Sequence, residues 1–203
     1  MRILPFGEEA VLAEYPDLPA VLAAASALRA AHRPGVVDIV PAARTVLVRF
    51  DASVTSRADI ERWVGAASTG TPPAPTTDLV RIAVRYDGPD LESVAQSLSL
   101  SVEQLIARHT GALWTSAFIG FAPGFAYLSS PDPALVVPRR STSRAAVPAG
   151  SVALAGGFTG IYPRSSPGGW QLVGRTDAAL WDERRPRPAL LPPGTQVRFE
   201  AVG

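Results

Sequence analysis

The chain has no cysteine, no lysine and no asparagine among its 203 residues, and all nineteen of its basic side chains are arginine. Without cysteine there are no thiol nucleophiles, structural disulfides or thiolate metal sites. Without lysine there is no Walker-type phosphate lysine, no Schiff base, no point of biotinyl attachment, and no Ser–Ser–Lys machinery of the amidase-signature kind. Histidine is scarce, with only His32 and His109. One imidazole in the second half, no thiol and no carboxylate pair at ligand spacing leave too few ligands for a metal centre held by this chain alone. The net charge of +1 gives no global field, so neither nucleic acid nor an anionic membrane is an expected partner.

Long apolar runs are also missing. The uncharged stretch Ala145–Pro163 is interrupted by two prolines and four glycines and would not make a membrane helix. The opening MRILPFGEEA carries two acids and no apolar h-region, unlike a signal peptide. The expectation is a soluble, cytoplasmic protein. Hydrophobic residues make up 47% of the chain, enough for a substantial core.

Organisation follows from punctuation. Ser68–Thr77, STGTPPAPTT, reads as an extended Pro/Thr-rich linker between residues 1–67 and 78–203. In the first part, Asp17–Arg33 places Leu18, Val21, Leu22, Ala25 and Leu28 on one helical face, with Asp17 as N-cap and Pro34-Gly35 as stop. Val36–Val40 and Thr45–Phe50 are β-branched runs joined by a short turn, and Ser56–Ala67 is a second helix. This predicts a small α+β domain with two helices on one face of an antiparallel sheet. The second part opens with a strand at Leu79–Tyr86 and two helices, Asp90–Leu98 and Val102–His109. Ser101 and Gln104 form a capping box for the latter. From Leu113 onward, short strands separated by Gly and Pro predict a small β-barrel carrying the helix pair.

Chemistry concentrates in two segments rich in glycine, proline and aromatic residues, Phe118–Leu128 and Val147–Thr176. Gly120–Phe125, GFAPGF, either presents backbone N–H groups to an anion or makes a tight turn with Phe121 and Phe125 in the core. Tyr127 has a ring with a polar tip, suited to orienting a ligand and equally to a core edge. Arg139, Arg140 and Arg144 are the densest basic cluster of the second part, fitted to a carboxylate or phosphate unless simply solvated. Thr159-Gly160-Ile161-Tyr162-Pro163 and Ser166-Pro167-Gly168-Gly169-Trp170 carry hydroxyls and rings on rigid turns. These suit either a small polar ligand with a flat face or a protein partner. His109 ends a capped helix just before the strand leading to GFAPGF, where it is either a proton donor and acceptor at a cavity edge or a C-terminal residue facing the helix dipole. No G-x-S-x-G elbow supports a serine nucleophile.

The motifs GFAPGFAYL, PRR, VPAGSV, TGIYP, SPGGW and GRT, in this order, resemble the KipI-type family. That family includes the B subunit of bacterial 5-oxoprolinase, proteins labelled allophanate hydrolase subunit 1, and a carboxyltransferase region of urea carboxylase. The resemblance spans nearly the whole chain and is densest from His109 to Thr176. It implies that the barrel is cyclophilin-like. It also implies a component of an ATP-dependent 5-oxoprolinase that opens 5-oxoproline to L-glutamate. The partners would be a cyclophilin-like C subunit, of the allophanate hydrolase subunit 2 type, and a third, A subunit, with ATP shared with or supplied by them. On this resemblance His109 is the expected catalytic residue. Gly124, Phe125, Tyr127, Arg139, Arg144, Thr159, Tyr162, Gly169 and Trp170 are the expected substrate-binding residues. A carboxyl-transfer module for urea-like substrates and a non-enzymatic inhibitor of a sensor histidine kinase are the alternatives it leaves open. Two positions depart from the pattern: Phe158 stands where glutamine is expected, and Ser129 where glycine is common. Loss of that glutamine would remove one hydrogen bond to substrate.

Overall fold

The computed structural model describes residues 1–67, 79–130 and 133–203. The expected linker Ser68–Thr77 lies outside these. Backbone contacts divide the chain into two compact units, Met1–Ala74 and Pro75–Gly203.

In the first unit the strands are β1 (Arg2–Pro5), β2 (Ala10–Glu14), β3 (Val36–Pro41) and β4 (Thr45–Phe50), antiparallel throughout in the order β1-β2-β4-β3. Helices α1 (Leu18–Ala30) and α2 (Arg57–Ala66) complete it. Alternation sends Val11 and Ala13 of β2, and Val46, Val48 and Phe50 of β4, to the face that meets Val21, Leu28, Ile60 and Val64 of the helices. Both helices begin where a short polar side chain caps them. Asp17 accepts from the Ala20 N–H at 2.9 Å, and Ser56 from the Asp59 N–H at 3.2 Å. α1 stops earlier than Arg33, and His32 follows it in the left-handed region at φ 27°.

The second unit opens with β5 (Leu79–Val84), α3 (Leu91–Ser97) and α4 (Val102–Gly111). The capping box is present: Ser101 and Gln104 satisfy each other's backbone N–H groups. Strands β6 (Trp114–Ile119), β7 (Ala126–Ser129), β9 (Ser151–Ala155), β10 (Phe158–Ile161), β12 (Gln171–Arg175) and β13 (Gln196–Ala201) join β5 in one seven-stranded sheet, ordered β12-β9-β10-β7-β6-β13-β5. A short ribbon pairs β8 (Arg144–Val147) with β11 (Ser166–Gly168).

The sheet curls until its two edges meet. Arg85, just past β5, exchanges both backbone hydrogen bonds with Arg175 of β12 at 2.9 Å. Closure at this seam needs a residue without a side chain, because a Cβ on Gly174 would overlap the Arg85 carbonyl and Val84. The result is a nearly closed, barrel-like sheet within an α+β fold. Its interior is filled by Ile82, Val84, Leu128, Leu154, Val173 and Val197, each side chain contributing about 1.5–3 kcal/mol by leaving water. α3 and α4 add Val94 and Leu105 to the same core. Among the described residues no helix is long and apolar enough to cross a membrane.

Candidate functional site

A groove of about 240 Å³ opens on the second unit, lined by Phe121, Phe125, Tyr127, Arg139, Ser143, Tyr162, Pro167, Gly168, Gly169 and Trp170. It draws together both segments that the sequence singled out. Phe125 forms its hub, meeting Tyr127, Tyr162 and Trp170 edge-on at centroid distances of 5.1, 5.4 and 5.4 Å. Such edge-to-face packing sets the rings at right angles, which shapes a rigid wall. Beneath them lies Gly160 of β10. A Cβ there would come within 2.9 Å of Phe125 and 3.1 Å of Trp170, so only glycine lets the rings settle on the strand. The hydroxyls of Tyr127 and Tyr162 are pushed upward in pKa by burial and so stay protonated; the Arg139 guanidinium partly offsets this at Tyr127, and the Trp170 backbone hydrogen bond, then Arg139, at Tyr162.

The arginine cluster divides between two tasks. Asp90 is 4% exposed, and its carboxylate takes two bonds from Arg144, at 2.8 and 2.9 Å, one from Arg140 at 2.8 Å, and the Leu172 N–H at 2.7 Å. Burial raises its pKa, but Arg144, the Leu172 amide and Arg140 together hold it below the usual carboxylate range. Arg140 and Arg144 are thereby fixed as structural clamps. Arg139, their neighbour, instead lines the groove. Its backbone setting is firm: the Arg140 N–H donates to the Gly169 carbonyl at 2.8 Å, and the Gln171 amide to the Pro138 carbonyl at 3.3 Å.

His109 is not at a cavity edge. It is 1% exposed, stacked on Phe199 at 4.4 Å, and belongs to the barrel interior. Thr159, also fully buried, donates its hydroxyl proton to the Ala153 carbonyl at 3.2 Å, so it accepts from His109 Nε2 at 3.0 Å. His109 Nδ1 then accepts the Tyr86 hydroxyl proton at 2.6 Å. Burial pushes the imidazole down to about 3 and the Tyr86 hydroxyl up, in keeping with two neutral partners. The cavity-edge placement expected of His109 is therefore corrected: apolar packing and two satisfied ring nitrogens set it under β10, away from the groove.

Of the expected binding residues, Phe125, Tyr127, Arg139, Tyr162, Gly169 and Trp170 meet in the groove. Thr159 and Arg144 do not line it, for the reasons given. Gly124, at φ 83°, backs onto Leu180 and Trp181 instead. Three of the five N–H groups of the Gly120–Phe125 turn, those of Gly120, Ala122 and Phe125, bond within it, as a tight turn requires. Phe121 is no core residue. It stands 59% exposed at the groove rim, in the left-handed region at φ 66°. Phe158 packs against Phe118 and Tyr127, behind the wall, so its replacement of glutamine alters the support of Tyr127 and not the lining. Sequence reasoning missed Asp90, because an acid opening a helix reads as a cap. It also missed Tyr86, whose partner lies on a different element. Among the described residues no three His, Asp or Glu side chains converge as metal ligands.

Residues 1–191 match the family model described as carboxyltransferase domain, subdomain C and D. The chain is 38% identical over 207 residues to the 5-oxoprolinase B subunit of Escherichia coli O157:H7, covering 98% of this chain and 94% of the relative. The crystal structure of TTHA0988 superposes with a TM-score of 0.76 at 38% identity, over 96% of this chain. The present chain spans 40% of that protein's length. The urea amidolyase of K. lactis superposes at 0.83 over 98% of this chain and 15% of its own, at 19% identity, which establishes a shared fold.

Proposed function

Because the chain belongs to the family of carboxyltransferase domains with subdomains C and D, we propose that it works as the B subunit of a 5-oxoprolinase, one component of a hydrolase and not a whole enzyme. The observation that carries this reading is the near end-to-end identity with the E. coli protein of that name. The reaction is the opening of the 5-oxoproline lactam: water supplies a hydroxyl to the carbonyl carbon and a proton to the nitrogen, giving L-glutamate, with ATP consumed. The groove is where this chain would meet the lactam. Tyr127 and Tyr162, kept protonated by burial, are the hydroxyls in its wall.

ATP does not fit the groove. A triphosphate calls for several free cations or a cradle of N–H groups. Here three N–H groups of the glycine turn are taken up within it, and Arg140 and Arg144 are held by Asp90. In this reading ATP is shared with or supplied by the partners, the cyclophilin-like C subunit and the third, A subunit, and the present barrel is the smaller cyclophilin-like member. The complex would work in the cytoplasm. The likeness to urea amidolyase concerns fold alone, and no residue of the groove favours carboxyl transfer or kinase inhibition over lactam opening.

The test is ATP-dependent release of glutamate from 5-oxoproline by this chain reconstituted with both partners, compared with the same mixture lacking this chain. Activity lost on omission is the expected result. An assembled complex that releases no glutamate would sink the reading.

A further inference from the structure

We propose that the groove is a carboxylate subsite, in which Arg139 receives the carboxylate of a small cyclic acid whose ring lies among Phe121, Tyr127, Tyr162 and Trp170. The choice of 5-oxoproline as that acid rests on the function proposed above, whereas the carboxylate assignment rests on the groove itself.

Four observations converge. Of the three arginines in PRRSTSR, Arg140 and Arg144 are committed to Asp90, while Arg139 has no carboxylate partner among the described residues. Among the described residues no acidic side chain lines the groove, and the one formal charge they bring to it is positive. That charge shares the lining with Tyr127 and Tyr162, whose hydroxyls it draws down against the upward push of burial. Finally, Phe121 holds a large exposed ring at the groove, 6.0 Å from Tyr162 and 5.3 Å from Phe125, in a backbone conformation that residues other than Gly, Asn and Asp seldom adopt. A strained, exposed aromatic residue facing two other rings is placed to cover something flat.

Size and charge narrow the ligand further. A volume of about 240 Å³ lies below the usual range for drug-sized ligands, which favours a single small ring. One guanidinium fork matches one carboxylate bidentately. A phosphate dianion would leave charge unmatched among the aromatic edges. The lactam face can lie against the rings, and the two protonated tyrosine hydroxyls can donate to its carbonyl.

The experiment is calorimetric titration, with ligand-detected NMR, of the full chain and of the reconstituted complex. The probes are 5-oxoproline, its neutral carboxamide, cyclopentanecarboxylate and inorganic phosphate. Both carboxylates are expected to bind, with the carboxamide at least about tenfold weaker. Arg139→Gln should weaken carboxylate binding about tenfold or more, Arg139→Lys less, and Arg85→Gln, outside the groove, not at all. Equal affinity for acid and carboxamide, unchanged binding by Arg139→Gln, or preference for phosphate would each overturn the subsite. Arg139-dependent binding of cyclopentanecarboxylate without binding of 5-oxoproline would keep the carboxylate subsite and reject the lactam. Absence of any carboxylate binding by chain and complex alike would reject it outright.

Discussion

His109 shows how the fold withdraws a titratable side chain from solvent. Its two nitrogens are both engaged, one as donor to Thr159 and one as acceptor from Tyr86, and Phe199 covers its face. An imidazole held neutral in the fold but free to protonate near its ordinary value when unfolded destabilises the protein in acid. Its contribution is whole above pH ~6.5 and falls as the pH drops toward 3, with a slope approaching about 1.4 kcal/mol per pH unit. Urea denaturation from pH 7 to pH 4.5 should show this slope in the native chain and lose it in His109→Gln. A slope unchanged in the variant would assign the acid sensitivity elsewhere. Phe121 offers a second test at this scale. Phe121→Gly relieves left-handed strain of about 1–2 kcal/mol while adding about 0.5–1 kcal/mol of backbone entropy cost. Chemical denaturation should therefore place it within about 1 kcal/mol of the native chain, while titration shows weaker ligand binding. The sequence made Tyr127, Tyr162, Trp170 and Arg139 legible because rings and a basic side chain cluster beside rigid turns. It could not separate Arg139 from Arg144, since only the position of Asp90 decides which arginine is left to a ligand.

Among the elements, Asp90 at the head of α3 is the junction. Its carboxylate ties the Arg140–Arg144 loop and the start of β12 to one point, so the wall carrying Arg139 is held from behind. Replacing it by alanine leaves two partly buried guanidinium groups and one amide without their anion. The cost should be about 2–4 kcal/mol, below that of a fully buried pair because both arginines retain some exposure. Thermal or urea unfolding of Asp90→Ala measures it, and ligand affinity should fall as the loop loosens. A stability loss under about 0.5 kcal/mol would mean that water replaces the clamp. Helix starts were readable in advance, because Asp17, Ser56 and the Ser101–Gln104 box act within three residues of themselves. Pairings such as Arg85 with Arg175 were not, since each joins segments whose local patterns carry no mark of the other.

Over the whole molecule, each unit has an interior of its own. Val11, Val21, Val48 and Ile60 serve the first, and Ile82, Trp114, Leu154 and Phe199 the second. A fragment of residues 75–203 should therefore fold alone with the groove intact. Circular dichroism and binding of cyclopentanecarboxylate to the fragment check this, and an unfolded fragment would refute independent folding. The alternation of periods foretold a mixed α+β chain. How the barrel closes was beyond it, because closure depends on strands far apart in sequence.

That closure also sets a schedule for synthesis. β5 is the first strand of its unit to leave the ribosome, and β13, which lies parallel to it in the register Leu79↔Gln196, is the last. Until β13 emerges, one side of β5 and the face that will stack His109 on Phe199 stay open, whereas the antiparallel sheet of the first unit can form from neighbours already made. The nascent second unit must therefore wait with an unpaired strand edge for nearly its entire translation, which is the interval when it is most exposed to aggregation and to chaperones.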